Sequence, residues 1–171
     1  SPYAQSKWEN ETQIMLAREK GLEAVALRFF NVYGPGQSKD GTYAAVIPKF
    51  VEMLTTGKQP IVHGDGLQSR DFIHVKDLVR AIESLLECNW KLVDDHTYNL
   101  ASQSQTTILE LIELINSSIV KITPNFNIAE PNFEQSRKGD IIHSYADISK
   151  ISNTLNWGPS IEISQGIEEL V

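Results

Sequence analysis

Apolar and polar positions change period several times along the chain, and each change marks a predicted element. From Pro2 to about Lys20 the pattern is helical, with proline suited to a first turn and Gly21 placed as a C-cap. Leu22 to Phe30 is a nearly continuous apolar run, which predicts a buried, parallel strand. Asn31 to Gly41 is a turn-rich loop holding Gly34-Pro35-Gly36. Ala44 to Thr56 reads as a helix interrupted early by Pro48 and ended by Gly57. Pro60 to His63 and Ser69 to His74 are short extended pieces around a Gly64-Asp65-Gly66 turn. Val75 to Cys88 is an amphipathic helix with Leu78, Ile82, Leu85 and Leu86 on one face and Asp77 near its start.

Beyond it, Tyr98-Asn99-Leu100 predicts a strand, and Thr107 with Glu110 forms a capping box for a helix to about Ser118. Lys121 to Glu130 is extended, and Glu134 to Ser144 is a charged loop. Ala146 to Asn156 reads as a helix closed by Trp157-Gly158-Pro159, and Ser164 as the cap of the last helix. Strands alternate with helices, so the class is α/β. The chain lacks an initiating Met, opens directly on a helix and stops within a helical pattern, which predicts a piece of a longer chain.

Composition narrows the partners. The 171 residues are 41% hydrophobic and 22% charged, enough for one domain with a sizeable core. A net charge of −7 argues against nucleic acid or an anionic membrane surface as partner, so an anionic small ligand would need placed arginines. No apolar run reaches the ~18 residues of a membrane span. The single cysteine, Cys88, sits in an apolar helical context and reads as an inert thiol in a cytoplasmic protein.

Several stretches carry candidate chemistry. Tyr3 and Lys7 stand four apart at a helix start, so phenol and ammonium share a face. A nearby ammonium favours the phenolate, which suits a tyrosine to acid/base work. Asn31 follows a strand that ends in Phe29-Phe30, the place where ligands bind in parallel sheets; it could equally cap the turn. Arg70 lies among apolar neighbours, either paired with Asp71 or Asp77 or aimed at an anion. His63 and His74 read more simply as structural histidines. Arg137 with Asp140 three residues on could hold a phosphate and a sugar hydroxyl. No metal-ligand spacing, P-loop or GxGxxG pattern occurs.

In order, SPYAQSKxxxE, LRFFNVYGPGQ, YAAVIPKF, GDGLQSRDFIHVKDL, YNLA and RKGDIIHSYADISK resemble one family over nearly the whole chain. It is the C-terminal half of the extended short-chain dehydrogenases/reductases acting on nucleotide sugars, nearest to the NAD-dependent UDP-sugar 4-epimerases. The resemblance implies the end of an NAD(P)-binding Rossmann-like domain over residues 1–34, a small α/β substrate domain over 35–171, and a return to the Rossmann-like part over 75–100. It implies Tyr3 as acid/base and Lys7 as its partner on the nicotinamide ribose, with Phe29 offering backbone contacts to the nicotinamide. Asn31, Arg70 and Arg137 would bind the diphosphate. Ala45 and Val46, with Phe50 and His63, would line the uridine site, and Asp140 would contact the ribose. Ser144 stands where a bulky tyrosine would restrict the sugar, and serine leaves room for an N-acetyl group. NAD would be held mainly by the missing half, the partner would be a nucleotide-diphosphate sugar, and the parent would be a homodimer. A 4,6-dehydratase, a uronate 4-epimerase or an inactive remnant are the competing expectations. Ala101-Ser102-Gln103 stands where the family often has glycine, which leaves the contacts there open.

Overall fold

The computed structural model describes residues 2–39 and 45–171. In chain order the elements are α1 (Pro2–Glu19), β1 (Ala26–Phe29), β2 (Asn31–Tyr33), α2 (Val46–Thr55), β3 (Ile61–His63), β4 (Ser69–Arg70), β5 (Phe72–His74) and α3 (Val75–Glu87). A 3-10 turn at Trp90–Leu92 precedes β6 (Thr97–Leu100), β7 (Thr106–Thr107), α4 (Ile108–Ile122), β8 (Asn132–Glu134), α5 (Ser149–Leu155) and α6 (Ile163–Glu168).

The β1–β2 run joins the two parts of the molecule. Its first half pairs in parallel with β6, Ala26 opposite Thr97. After Phe30 its second half pairs in parallel with β5, Asn31 opposite Phe72. Alternation on β5 then divides the core: Phe72 faces one cluster and Ile73 the other. The first cluster gathers Tyr33, Ile47, Phe50, Leu54 and Val62 against Leu111, Ile115 and Ile167. The second gathers Leu78, Leu85, Tyr98 and Leu100 against Ile148, Ile151 and Trp157, so residues around α5 pack with α3 and β6. Full burial of a side chain such as Leu111 or Ile115 contributes roughly 1.5–3 kcal/mol, so α4, which carries both, is part of the stable frame.

Polar fasteners hold the outer pieces. Arg28 on β1 binds Glu11 on α1, and Arg18 donates to the carbonyls of Ala24 and Val93. Asp77, nearly fully buried at the start of α3, accepts from Arg80, from the N–H groups of Ser160 and Ile161 and from the Ser160 hydroxyl. Burial pushes its carboxyl up, but these four donors prevail and hold it below the usual carboxylate value. His74 is buried and caps α3 by accepting from the Lys76 N–H. Burial holds its imidazole below the ordinary value, against the opposing pull of Glu169.

Several sequence expectations shift. The strand begins at Ala26 rather than Leu22, and it is half exposed, with Phe29 at 52%. Among the described residues only β6 flanks it, and α1 has no buried residue to cover it. Pro48 does not interrupt α2: it sits in the first turn, where a missing N–H leaves no intrahelical bond unmade. The expected start at Ala44 lies outside the described residues. The helix that opens on the Thr107–Glu110 box continues to Ile122. Asp147 precedes α5 and accepts from the Ser149 N–H rather than lying inside the helix. The last helix is capped by Glu162 with Gln165, and Ser164 falls within its first turn. No described helix is long and apolar enough to cross a membrane.

Candidate functional site

Five segments converge on a cleft of about 540 Å³: the start of β2, one face of α2, the β3–β4 region, the start of α4, and the end of β8 with the loop after it. Of the residues expected from the sequence, Asn31, Val46, Phe50, His63, Arg70, Arg137 and Asp140 line it. Helical spacing from Val46 brings Lys49, Phe50 and Met53 to the same wall. Register brings Glu134 to the facing wall, because β8 pairs in parallel with β3 and sets Glu134 opposite His63.

The cleft's arginines are partly satisfied by the protein. Arg70 Nη2 donates to Asp140 Oδ1 at 2.8 Å, and Nη1 donates to the carbonyls of Ser69 and Ile141 at 2.9 and 2.7 Å. Its partner is thus neither Asp71 nor Asp77; Asp77 is taken by Arg80. The Nε–H and one Nη2–H of Arg70 remain without a partner among the described residues, half of a fork suited to an oxyanion. Arg137 Nη2 lies 2.7 Å from His63 Nε2. A guanidinium can only donate, so His63 Nε2 accepts and the imidazole carries its proton on Nδ1, which faces Glu134 Oε2 at 3.7 Å. Lys49 makes no hydrogen bond or ion pair among the described residues. Three cations against two carboxylates make the cleft locally positive in an acidic chain.

Asn31 is held at the cleft floor by the Asp71 carbonyl, which accepts both its main-chain N–H at 3.1 Å and its Nδ2 at 2.9 Å. Its Oδ1 and second amide hydrogen stay open to a ligand. Below it, β4 is stitched to the loop that carries Arg137 and Asp140: Ser69 N–H donates to the Ile142 carbonyl, and Ser144 N–H donates to the Ser69 carbonyl. Ser69 Oγ also lies 2.9 Å from His143 Nδ1.

The remaining expected residues lie outside this lining. Ala45 is the N-cap of α2, next to Val46, and Ser144 sits beside β4, half-buried. Phe29 ends β1. Tyr3 is 72% exposed on α1, and Lys7 Nζ stands 5.4 Å from the centroid of its ring, so phenol and ammonium share a face as the spacing requires. A second cleft of about 430 Å³ lies against α1, between Trp8, Glu11 and Arg28 on one side and Asp95, His96 and Lys150 on the other. Among the described residues no group of three or more His, Cys, Asp or Glu could hold a metal ion.

Lys49, Met53, Gln68 and Glu134 line the cleft but were not singled out from the sequence. The signal for Lys49 and Met53 was present as the i, i+3, i+7 series from Val46. Glu134 depends on strand pairing, which no local pattern reveals.

The parallel strand pairs, alternating with helices, define an α/β fold. The chain belongs to the family described as GDP-mannose 4,6 dehydratase, whose profile matches residues 1–170. Among solved structures it is similar to UDP-N-acetylglucosamine 4-epimerase from Methanobrevibacter ruminantium M1 in complex with UDP-N-acetylmuramic acid. There the TM-score is 0.86 at 36% identity, over 99% of this chain and 52% of that one. It is also similar to UDP-glucose 4-epimerase from Thermotoga maritima with UDP-glucose, with a TM-score of 0.85 at 33% identity over 99% and 52%. A third is UDP-glucuronic acid 4-epimerase from Bacillus cereus in complex with UDP-glucuronic acid and NAD, with a TM-score of 0.74 at 30% identity over 99% and 51%. The chain spans about half the length of the first curated relatives it matches, 52% and 51% of them.

Proposed function

We propose that this chain supplies the nucleotide-sugar-binding part of an NAD-dependent UDP-sugar 4-epimerase. The observation that carries the reading is the cleft itself. Asn31, Arg70 and Arg137 meet there beside the apolar wall of Val46, Phe50 and Met53. A diphosphate would take the open N–H groups of Arg70 and Asn31 and compete with His63 for Arg137. A base and ribose would lie along the α2 wall, with Ala45 behind it, Asp140 within reach of ribose hydroxyls and Ser144 toward the sugar. Ser144 in place of a bulkier side chain favours a UDP-N-acetylhexosamine.

In this reading Tyr3 takes the proton from the sugar 4-hydroxyl, and Lys7 orients the nicotinamide ribose and supports the phenolate. NAD, when bound, would supply reversible hydride chemistry at sugar C4. Tyr3, Lys7 and Phe29 fit such a cofactor in being open rather than packed: Tyr3 on α1 and Phe29 at the end of β1 are both more than half exposed. Most of the cofactor's surface would be met by the part of the relatives that this chain does not span. The division at residue 34, with 75–100 returning to the first part, belongs to the same proposal. So does a homodimer, favoured by an α1 that buries no residue while exposing Trp8, Met15 and Leu16. A half-buried, unpaired Cys88 suits a cytoplasmic setting.

The test is product analysis by proton NMR, using a protein extended to the length of the relatives. UDP-N-acetylglucosamine with NAD should give its C4 epimer without loss of water. Loss of water would assign a 4,6-dehydratase, as the family description suggests, and turnover of UDP-glucuronate alone would assign a uronate epimerase. The 171-residue chain by itself should bind UDP and show no NAD-dependent turnover, as a binding remnant would; turnover by it alone would overturn the division of labour.

A further inference from the structure

Asp71 is fully buried, between Arg70 in the cleft and Phe72 in the core. Its carboxylate has no cationic partner among the described residues. Oδ1 accepts from the N–H and from the hydroxyl of Ser102, both at 2.8 Å. Oδ2 accepts from the Ala146 N–H at 3.4 Å. Its main-chain carbonyl holds the N–H and Nδ2 of Asn31. One residue therefore ties together the start of β2, the β4–β5 junction, the turn after β6 and the loop that runs from Arg137 through Asp140 to α5.

A buried carboxylate without a cation is costly, and a neutral amide would fill the same volume. The geometry explains the acid. Donors approach both oxygens, and an amide would set its own N–H against that of Ala146. Ser102 is equally specific. Gln103, next to it, holds a left-handed backbone with φ 57, which non-glycine residues seldom adopt. That turn brings both the N–H and the hydroxyl of Ser102 onto one carboxylate oxygen. A glycine at 102 would supply only the N–H.

We propose that Asp71 is a positioning residue for anion binding in the cleft, with Ser102 as its partner. Through its two ends it fixes Asn31 and Arg70 relative to the loop bearing Arg137 and Asp140. The inference rests on the cleft being a nucleoside-diphosphate site.

The test titrates Asp71→Asn and Ser102→Ala, in the 171-residue chain, with UDP and with uridine. A residue that places the phosphate-binding groups affects UDP alone. The Kd for UDP should rise about tenfold in D71N and about threefold in S102A, with uridine unchanged in both. Ser102→Thr, which keeps the hydroxyl, should restore the affinity for UDP. Unchanged UDP affinity in folded S102A, or equal losses of UDP and uridine, would overturn the proposal. Should D71N not fold, S102A and S102T decide by themselves. Failure of the unaltered chain to bind UDP overturns the reading of the cleft, and this inference with it, and is distinguishable because it needs no variant.

Discussion

Arg70 Nη2 donates to Asp140 Oδ1 at 2.8 Å, so the free cleft already neutralises part of its own charge and anchors one loop to β4. The open half of the guanidinium is what an incoming phosphate can use. Arg70→Ala should weaken UDP binding by about tenfold or more, from the ~1.5–3 kcal/mol of a hydrogen bond to a charged group. Arg70→Lys should not restore it, because a single ammonium cannot serve Asp140, two carbonyls and a phosphate together. Isothermal titration with UDP checks both, and full rescue by lysine would contradict the two-sided role.

Arg28 and Glu11 join β1 to α1 through two hydrogen bonds of 2.7 Å each. The hydrogen bond from Arg28 is the main cause holding the Glu11 carboxyl below its usual value. A carboxyl depressed in the folded state contributes stability above its unfolded value of about 4.3, and that contribution is lost as pH falls through the lower folded value. Glu11→Gln should therefore cost about 0.5–1 kcal/mol at pH 7 and less near pH 3. Urea unfolding at both values measures it; an equal cost at both would mean that packing rather than charge fastens α1.

Asp77 fastens the start of α3 to the segment before α6. Asp77→Ala leaves two N–H groups and a hydroxyl without their acceptor and strips Arg80 of its carboxylate, leaving it the Gly158 carbonyl and the Ser160 hydroxyl, at a cost of about 3 kcal/mol. Its carboxyl too is depressed, so the wild-type protein should lose this contribution as pH drops below the ordinary carboxylate value of about 4. Denaturant midpoints of variant and wild type should converge in acid, and a constant gap would contradict the assignment.

Tyr33 and Gly166 touch across the first core. A Cβ at Gly166 would come within 2.8 Å of ring carbons of Tyr33, whose hydroxyl is buried without a partner among the described residues. Gly166→Ala should destabilise by about 1–3 kcal/mol through overpacking. Tyr33→Phe, which removes the unsatisfied hydroxyl, should be neutral or stabilising by about 1 kcal/mol and should soften the effect of G166A. A thermal-unfolding cycle of the two variants decides; strictly additive effects would place the clash elsewhere.

Much of the cleft was legible because its residues sit at motif positions near element ends: Asn31 where β1 gives way to β2, Arg70 in a short extended piece, Arg137 and Asp140 in one loop. The α/β order was legible from the change of apolar period. What could not be read was pairing across the chain. That Arg70 would meet Asp140, that His63 would stand opposite Glu134 and that Asp71 would be claimed by Ser102 depend on strand register and loop return, which local pattern does not encode. Burial of β1 was overestimated for a related reason: an apolar run signals a strand that can be covered, while its actual cover depends on neighbouring elements, and α1 buries nothing.

Residue-resolved NMR of the isotope-labelled 171-residue chain during titration with UDP bears most directly on the cleft as a nucleotide-diphosphate site. The expected result is saturable shifts concentrated at Asn31, Val46, Phe50, His63, Arg70 and Arg137, with Trp8, Asp95 and His96 unmoved. Absence of saturable shifts, or shifts gathered instead at the cleft beside α1, would contradict it.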